Sequence, residues 1–379
     1  MTTHEEPMAP PVALVDQHCH GVARSPLTAG QFTAYLTESH APAAPGTTFF
    51  DTQLGFALRR WCPPLLGLPA HCPPADYLAR RAELGHERTL RLLLGATGIT
   101  DHLVDTGLSA GLTTLDELAT AAGARAHEIA RLETLAEHTA DTTGGCREFL
   151  GALHTAVQEA ARTAVAFKSV VAYRHGLDFD PARPTPAEVR RATDRWLTAR
   201  RPGERLRDPV LLRHLLWTAA DAALPLQLHT GFGDPDLRLH RGDPLLLTDF
   251  VQAVAPTGCP LVLLHTYPYH RGAAYLAHAF PHVYTDIGLT IPHTGVRAEA
   301  VLAETLELAP FGKLLFSTDA YGLPELYVTA TRLFTRALGR LLDGWVREGA
   351  WSAGDARRVT GMITAGNARR VYRLDPEIA

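Results

Sequence analysis

Val12-Ala13-Leu14-Val15-Asp16-Gln17-His18-Cys19-His20 is a short apolar run that stops at two histidines one residue apart. It predicts a first strand over Val12–Val15. Alternation along such a strand puts both imidazoles on one face, where they can grip a single metal ion. With 19 histidines in 379 residues one such pair arises by chance, so the weight comes from the rest of the chain. Leu226-Gln227-Leu228-His229, Leu261-Val262-Leu263-Leu264-His265 and Leu314-Leu315-Phe316-Ser317-Thr318-Asp319 repeat the construction, each an apolar run ending at a metal-ligand side chain. Four strands that all end in ligands imply one site at one end of a parallel barrel.

Between these runs strands and helices alternate. Further strands are expected over Ile99–Val104, His127–Leu132, Ala164–Val171, Leu224–Leu228, Leu261–Leu264, His282–Thr285 and Lys313–Ser317. Helical segments such as Leu115–Ala122, Phe149–Arg162 and Val210–Ala222 separate them. Eight strands in this order predict an α/β fold, a (β/α)8 TIM barrel spanning 1–379 as one domain. A doubly wound open sheet would carry a Gly-rich phosphate loop after its first strand, and none is present. Residues 21–95, with helical patches such as Ala75–Leu84 and no clear strand, read as a mostly helical insertion over the barrel mouth. The tail predicts two extra helices, Leu323–Glu348 and Ala353–Tyr372; the first could serve as a homodimer face or cover its own barrel.

Composition narrows the function. A hydrophobic content of 46% with 20% charged residues is that of a globular chain, and no apolar stretch reaches the roughly 18 residues that cross a bilayer. Met1–Pro11 lacks the order of a signal peptide, so cytoplasmic residence is expected. A net charge of −4 gives no reason to expect nucleic acid or a membrane as partner. Five unevenly spaced cysteines argue against a disulfide framework. Arg has displaced Lys except at Lys168 and Lys313. Arg cannot replace Lys where a neutral amine is needed, which singles out Lys168 at the end of the fourth expected strand.

Seven motifs spread over nearly the whole chain: Asp16-Gln17-His18-Cys19-His20, Phe167-Lys168-Ser169-Val170-Val171-Ala172-Tyr173-Arg174, Leu228-His229-Thr230-Gly231, Leu264-His265-Thr266-Tyr267-Pro268, Tyr284-Thr285-Asp286-Ile287-Gly288, Ser317-Thr318-Asp319 and Gly366-Asn367-Ala368. In kind and order they resemble the metal-dependent amidohydrolase superfamily, in its amidohydrolase family 2 branch, and are similar to the amidohydrolase domain fused to glutamine-synthetase-like proteins. The resemblance implies that His18, His20, His229 and Asp319 bind metal. It makes His265 a ligand of a second metal or a catalytic acid/base, and Lys168 either a residue whose carbamate bridges two ions or an unmodified amine that pairs with a substrate carboxylate.

The residue chemistry agrees with one or two divalent ions, zinc first and manganese or iron as alternatives. Neutral imidazoles plus a carboxylate suit such ions, and an open position ionises water near neutral pH. Asp319 would then deprotonate the water and pass the proton to the leaving group, with His265 beside it. Glu133, Tyr173, Arg174, Tyr267, His270 and Asp234 follow strands on the same face. Of these, Glu133, Tyr173, Arg174 and Tyr267 are the expected substrate contacts, with Arg174 as the carboxylate clamp. Asp286 is expected to orient a ligand histidine, and His293 to reach the mouth. Trp61-Cys62-Pro63-Pro64 and His71-Cys72-Pro73-Pro74 read as rigid turns rather than a second zinc site.

The expected activity is hydrolysis of a C–N, amide-type bond in a small polar, amino-acid-derived substrate. Two alternatives keep the barrel: non-hydrolytic decarboxylation of a small carboxylic acid on one metal, and a non-catalytic binding module. Loss of ligands would favour the last, and all ligand positions are filled.

Overall fold

In the computed structural model the described residues are 13–108 and 110–374; Met1–Pro11 and Val12 lie outside them. Seven strands form one parallel sheet in chain order: β1 (Leu14–Cys19), β2 (Ile99–Asp105), β3 (Arg125–Arg131), β4 (Ala166–Ser169), β5 (Leu226–Thr230), β6 (Leu261–His265) and β7 (Val283–Thr285). The curled sheet with its surrounding helices is a TIM-barrel-like α/β fold.

Each strand alternates between two environments. Leu226, Leu228, Leu261 and Leu263 pack outward on helices such as Cys146–Thr163 and Pro209–Asp221. Val15, Leu103, Ile129, Ala166, Val262, Leu264 and Leu315 form an inner apolar layer. Each buried Val, Leu or Ile among them contributes about 1.5–3 kcal/mol relative to exposure. The next inward positions toward the strand C-termini are polar: Gln17, Asp105, Arg131, Lys168, Gln227 and His229. The barrel is therefore sealed by hydrocarbon at one level and chemically equipped one level above.

The first strand begins later than expected and runs on through Cys19. Its register against β2 shifts between Asp16 and Cys19. That bulge lets the consecutive Gln17 and His18 both face inward, which strict alternation forbids. The eighth expected strand, Lys313–Ser317, is not one: Lys313 ends the 3-10 turn Phe311–Lys313, and only an isolated bridge joins Leu314 to Thr285. Leu315 N–H still donates to Thr285 at 3.0 Å and Gln17 N–H to Phe316 at 3.1 Å, so the segment joins both edges of the sheet. Side-chain hydrogen bonds replace the regular ladder. Asp16 takes the Thr318 N–H at 2.8 Å, and Asn367 of the Gly-Asn-Ala motif donates to the carbonyls of Phe311 and Leu314 at 2.7 and 2.8 Å.

Residues between β1 and β2 form the helices Ala29–Ala34, Gln53–Leu65, Pro74–Leu84 and His86–Leu94, with no strand among them. Pro63 and Pro64 end the second of these helices rather than making a turn, because two prolines at its C-terminus sacrifice few backbone donors. Pro74 starts the third. The long tail helix is Pro324–Arg347, and its apolar face (Phe334, Leu338, Leu341, Leu342) is already covered by its own chain. The last expected helix is split by a π turn, Met362–Gly366, into Ala353–Gly361 and Asn367–Tyr372. That turn brings Tyr372 Oη inside the barrel, 2.5 Å from Gln17 Oε1. Among the described residues no helix is long and apolar enough to cross a membrane.

Candidate metal centre

Three imidazoles, at the ends of β1 and β6, face one carboxylate. His18 Nε2 lies 3.1 Å and His20 Nε2 3.5 Å from Asp319 Oδ1, and His265 Nδ1 lies 3.6 Å from Asp319 Oδ2. The far nitrogens of the first two rings are held: His18 Nδ1 by Gln227 Oε1 at 2.8 Å, and His20 Nδ1 by the Asp105 carbonyl at 3.1 Å. Acceptors on Nδ1 fix the proton there and leave the Nε2 lone pairs toward Asp319, the orientation of metal-ligating imidazoles.

His229 stands in the same wall. Its ring centroid is 4.6 Å from that of His265 and 4.4 Å from that of Tyr173. His229 Nε2 and His265 Nδ1 are buried without a hydrogen-bond partner, a cost a folded chain accepts where a ligand completes the pairing. A Cβ on Gly233 would lie 3.0 Å from His229 Nε2 and would overlap Tyr173 Oη. Only glycine lets this loop lie so close to the imidazole.

Electrostatics keep the imidazoles neutral. Burial pushes His18 down to about 4 and lowers His229 and His265 well below the usual range, with the neighbouring His265 and Lys168 adding to the effect on His229. Burial alone would raise Asp319, but His265, His18 and His20 hold it well below the usual carboxylate range. Neutral imidazoles around an ionised carboxylate are what a divalent cation requires. His18, His265 and Asp319 place ligand atoms within 4.8 Å of one another, as do His18, His20 and Asp105; His229 belongs to neither set. The donors present fit a divalent ion.

Asp105 is a residue the sequence reading missed; it ends β2, where Thr100, Asp101 and His102 interrupt the apolar run. Its carboxylate is held by Arg131, Nη2 to Oδ2 at 2.6 Å and Nε to Oδ1 at 3.2 Å. Lys168 sits inside the barrel, in register with Arg131 on one side and Gln227 on the other. Burial brings its amine down to about 8, with Asp105 and Asp319 opposing.

Strain marks the same place. His265, Thr266 and Asp319 have φ of +69°, +61° and +49°, left-handed values that non-glycine residues adopt at a cost of about 1–3 kcal/mol each. His265 shares the parity of the outward-facing Leu261 and Leu263, and the departure from the pleat begins at this residue. Asp286 supports it through the backbone rather than through the expected imidazole contact: Asp286 Oδ1 accepts the His265 N–H at 2.6 Å.

The expected substrate contacts divide. Tyr173 packs on His229, and its Oη accepts the Asp234 N–H at 3.3 Å. Tyr267 stacks on His270 and lines a cavity at the mouth. Glu133 is buried elsewhere, its Oε1 taking the Ser169 hydroxyl at 2.6 Å and the Val170 N–H at 3.0 Å. Arg174 turns to Glu137, Nη2 to Oε1 at 3.3 Å. His293, expected to reach the mouth, lines two cavities there. Cys62, His71 and Cys72 form no metal cluster among the described residues.

Known proteins share this architecture. The protein fluG of Emericella nidulans is 33% identical over 244 residues, which are 61% of this chain and 28% of fluG, so the chain spans little more than a quarter of that relative. A proposed metal-dependent hydrolase from Lactobacillus casei is 28% identical with a TM-score of 0.84, covering 97% of both chains. Glucuronate isomerase of Caulobacter crescentus, 15% identical with a TM-score of 0.63 over 96% of this chain and 91% of its own, shares the fold. The sequence model of the amidohydrolase family matches residues 108–374, from just after β2 through Lys168, His229, His265 and Asp319 to the tail helices. The chain belongs to the amidohydrolase family.

Proposed function

We propose that the protein is a metal-dependent hydrolase that cleaves a C–N, amide-type bond of a small polar, amino-acid-derived molecule. The observation that carries this reading is the convergence of His18, His20 and His265 on Asp319. In this reading His18, His20, His229 and Asp319 hold the ion, zinc for preference, with His265 beside it. When bound, the ion supplies Lewis-acid activation of water and of the substrate carbonyl. Asp319 does the proton work: its ionised Oδ atoms accept a proton from the attacking water and return it to the leaving nitrogen. His265 Nδ1, 3.6 Å from Oδ2, steadies that carboxylate as its charge changes. His229 is packed by Tyr173, which fixes its ring and excludes water from one side.

Lys168 decides how much negative charge the site holds. As a carbamate it would add anionic oxygens for a second ion; as an amine it keeps a positive charge near Asp105 and Asp319. An intact-mass measurement in bicarbonate separates these states by the mass of one carbon dioxide.

The activity test is a panel of small amides and carboxylic acids offered to metal-loaded protein. Ammonia or amine release that disappears on chelation supports hydrolysis. Carbon dioxide release without amine release would replace it with decarboxylation.

A further inference from the structure

Two cavities open at the mouth and share only Phe232 and His293 in their linings. Phe232 is fixed by its N–H to the Tyr267 carbonyl at 2.6 Å, and His293 packs edge-on against it at 5.1 Å. The pair is a partition.

The first cavity, about 420 Å³, is lined by Glu38 and Asp234 over a leucine floor, with no Arg or Lys. Their ion-pair partners are imidazoles, His293 at 3.6 Å from Glu38 and His40 at 3.8 Å from Asp234. It abuts the His229 side of the centre, because Gly233 lines it and lies against His229 Nε2. The second cavity, about 640 Å³, holds Arg271, Arg297 and Glu304. Arg271 pairs with Glu304 and Glu307, whereas Arg297 has no ion-pair partner among the described residues. This cavity abuts the His265 side, since Thr290 and Tyr267 line it and Thr290 Oγ1 donates to the His265 carbonyl at 2.7 Å.

Opposite charge thus flanks the His229–His265 wall. We propose that the substrate is a zwitterion whose amide lies between its two charged ends, as in a dipeptide, with the ammonium toward Asp234 and Glu38 and the carboxylate toward Arg297. Placing the amide between the ends presents its carbonyl to the imidazole wall, while each charge meets its complement on one side of Phe232. The leucine floor of the first cavity fits an apolar side chain on the ammonium-bearing residue. This assignment rests on the hydrolase reading for its choice of an amide, and makes Arg297 a carboxylate anchor separate from Arg174, whose Nη2 pairs with Glu137.

The test is calorimetric binding to the full-length, zinc-loaded protein of four probes: leucylalanine, its N-acetyl derivative, its methyl ester and the N-acetyl methyl ester. The zwitterion is expected to bind about ten- to a hundredfold tighter than the doubly blocked probe. Arg297→Gln should erase the preference for the free carboxylate and keep that for the free amine; Asp234→Asn should do the reverse. Equal binding of all four, binding of none, or preferences unchanged in both variants would overturn the assignment. Binding heats and amine release are measured separately, so a tightly bound but uncleaved zwitterion would leave this assignment standing and remove the hydrolase reading. Hydrolysis of the doubly blocked amide as fast as the zwitterion would do the opposite.

Discussion

Asp286 Oδ1 accepts the backbone N–H of His265 at 2.6 Å, and the same carboxylate binds three other donors. Gly288 N–H reaches Oδ1 at 3.2 Å, while the Gln17 amide and Ser317 hydroxyl reach Oδ2 at 2.5 and 2.6 Å. One buried group therefore ties β1, the end of β6 and the segment before Asp319, and anchors a residue in a strained conformation. Asp286→Ala leaves four donors short of an acceptor, each costing about 1–3 kcal/mol before relaxation. A lowered melting temperature together with lowered metal content is expected, with Ser317→Ala much milder; an unchanged metal content in a folded variant would contradict this role.

Asp319→Asn keeps the shape of the side chain but removes the proton acceptor. We expect a loss of about 100- to 10,000-fold in kcat in a protein that still folds. His229→Ala should lose metal as well as rate, and calorimetry with added zinc distinguishes the two. Full activity in either variant would remove that residue from the site.

The helices between β1 and β2 are clamped to the tail helix by Glu325, which is fully buried. Its Oε1 accepts from Tyr77 Oη at 2.8 Å and from Arg81 Nε at 2.5 Å. Glu325→Ala strands the guanidinium of Arg81 in the interior, at a cost of about 3–5 kcal/mol. Limited proteolysis should then cut within 21–95 well before global unfolding. Uniform resistance across that segment would show that the clamp is dispensable.

Asp101 gives a pH signature away from the centre. Burial opposes its ionisation, but hydrogen bonds from His127 Nε2 at 3.1 Å and Thr100 at 2.9 Å, with Arg125 at 2.6 Å, hold its carboxyl well below the usual range. A depressed folded value means the group stabilises the fold above the unfolded value, about pH 4, and loses that contribution as the pH falls further. Asp101→Asn should therefore cost about 1–3 kcal/mol at neutral pH, and the gap to the parent should narrow below pH 4. Denaturant titrations at pH 7 and pH 3 check the sign.

Much of the fold and the site was legible in the sequence because ligands at strand ends announce themselves through apolar runs. The helix Leu115–Ala122 and the strand start at Ile99 match their expected positions, since each has strong local signals. What escaped depends on long-range partners. The bulge that turns both Gln17 and His18 inward is set by pairing with β2, and the eighth segment loses strand form to the Asp16 acceptor and the Asn367 donor. Asp105 was hidden because a strand ending in Asp reads as an ordinary strand until Arg131 and His20 are seen beside it. Arg174 pairs through Nη2 with Glu137 on another element, a contact no local pattern reveals, while its Nε and Nη1 are buried without a hydrogen-bond partner.

The central claim is that His18, His20 and Asp319, with His229 and His265, hold a divalent ion on which activity depends. Elemental analysis and amide hydrolysis should be measured together on protein as purified, after chelation and after reloading with zinc. The account predicts a stoichiometric divalent metal, activity lost on chelation and regained on reloading, and neither metal nor activity in a folded His18→Ala, His20→Ala double variant. Undiminished hydrolysis by metal-free protein, or full metal content in that variant, would contradict it.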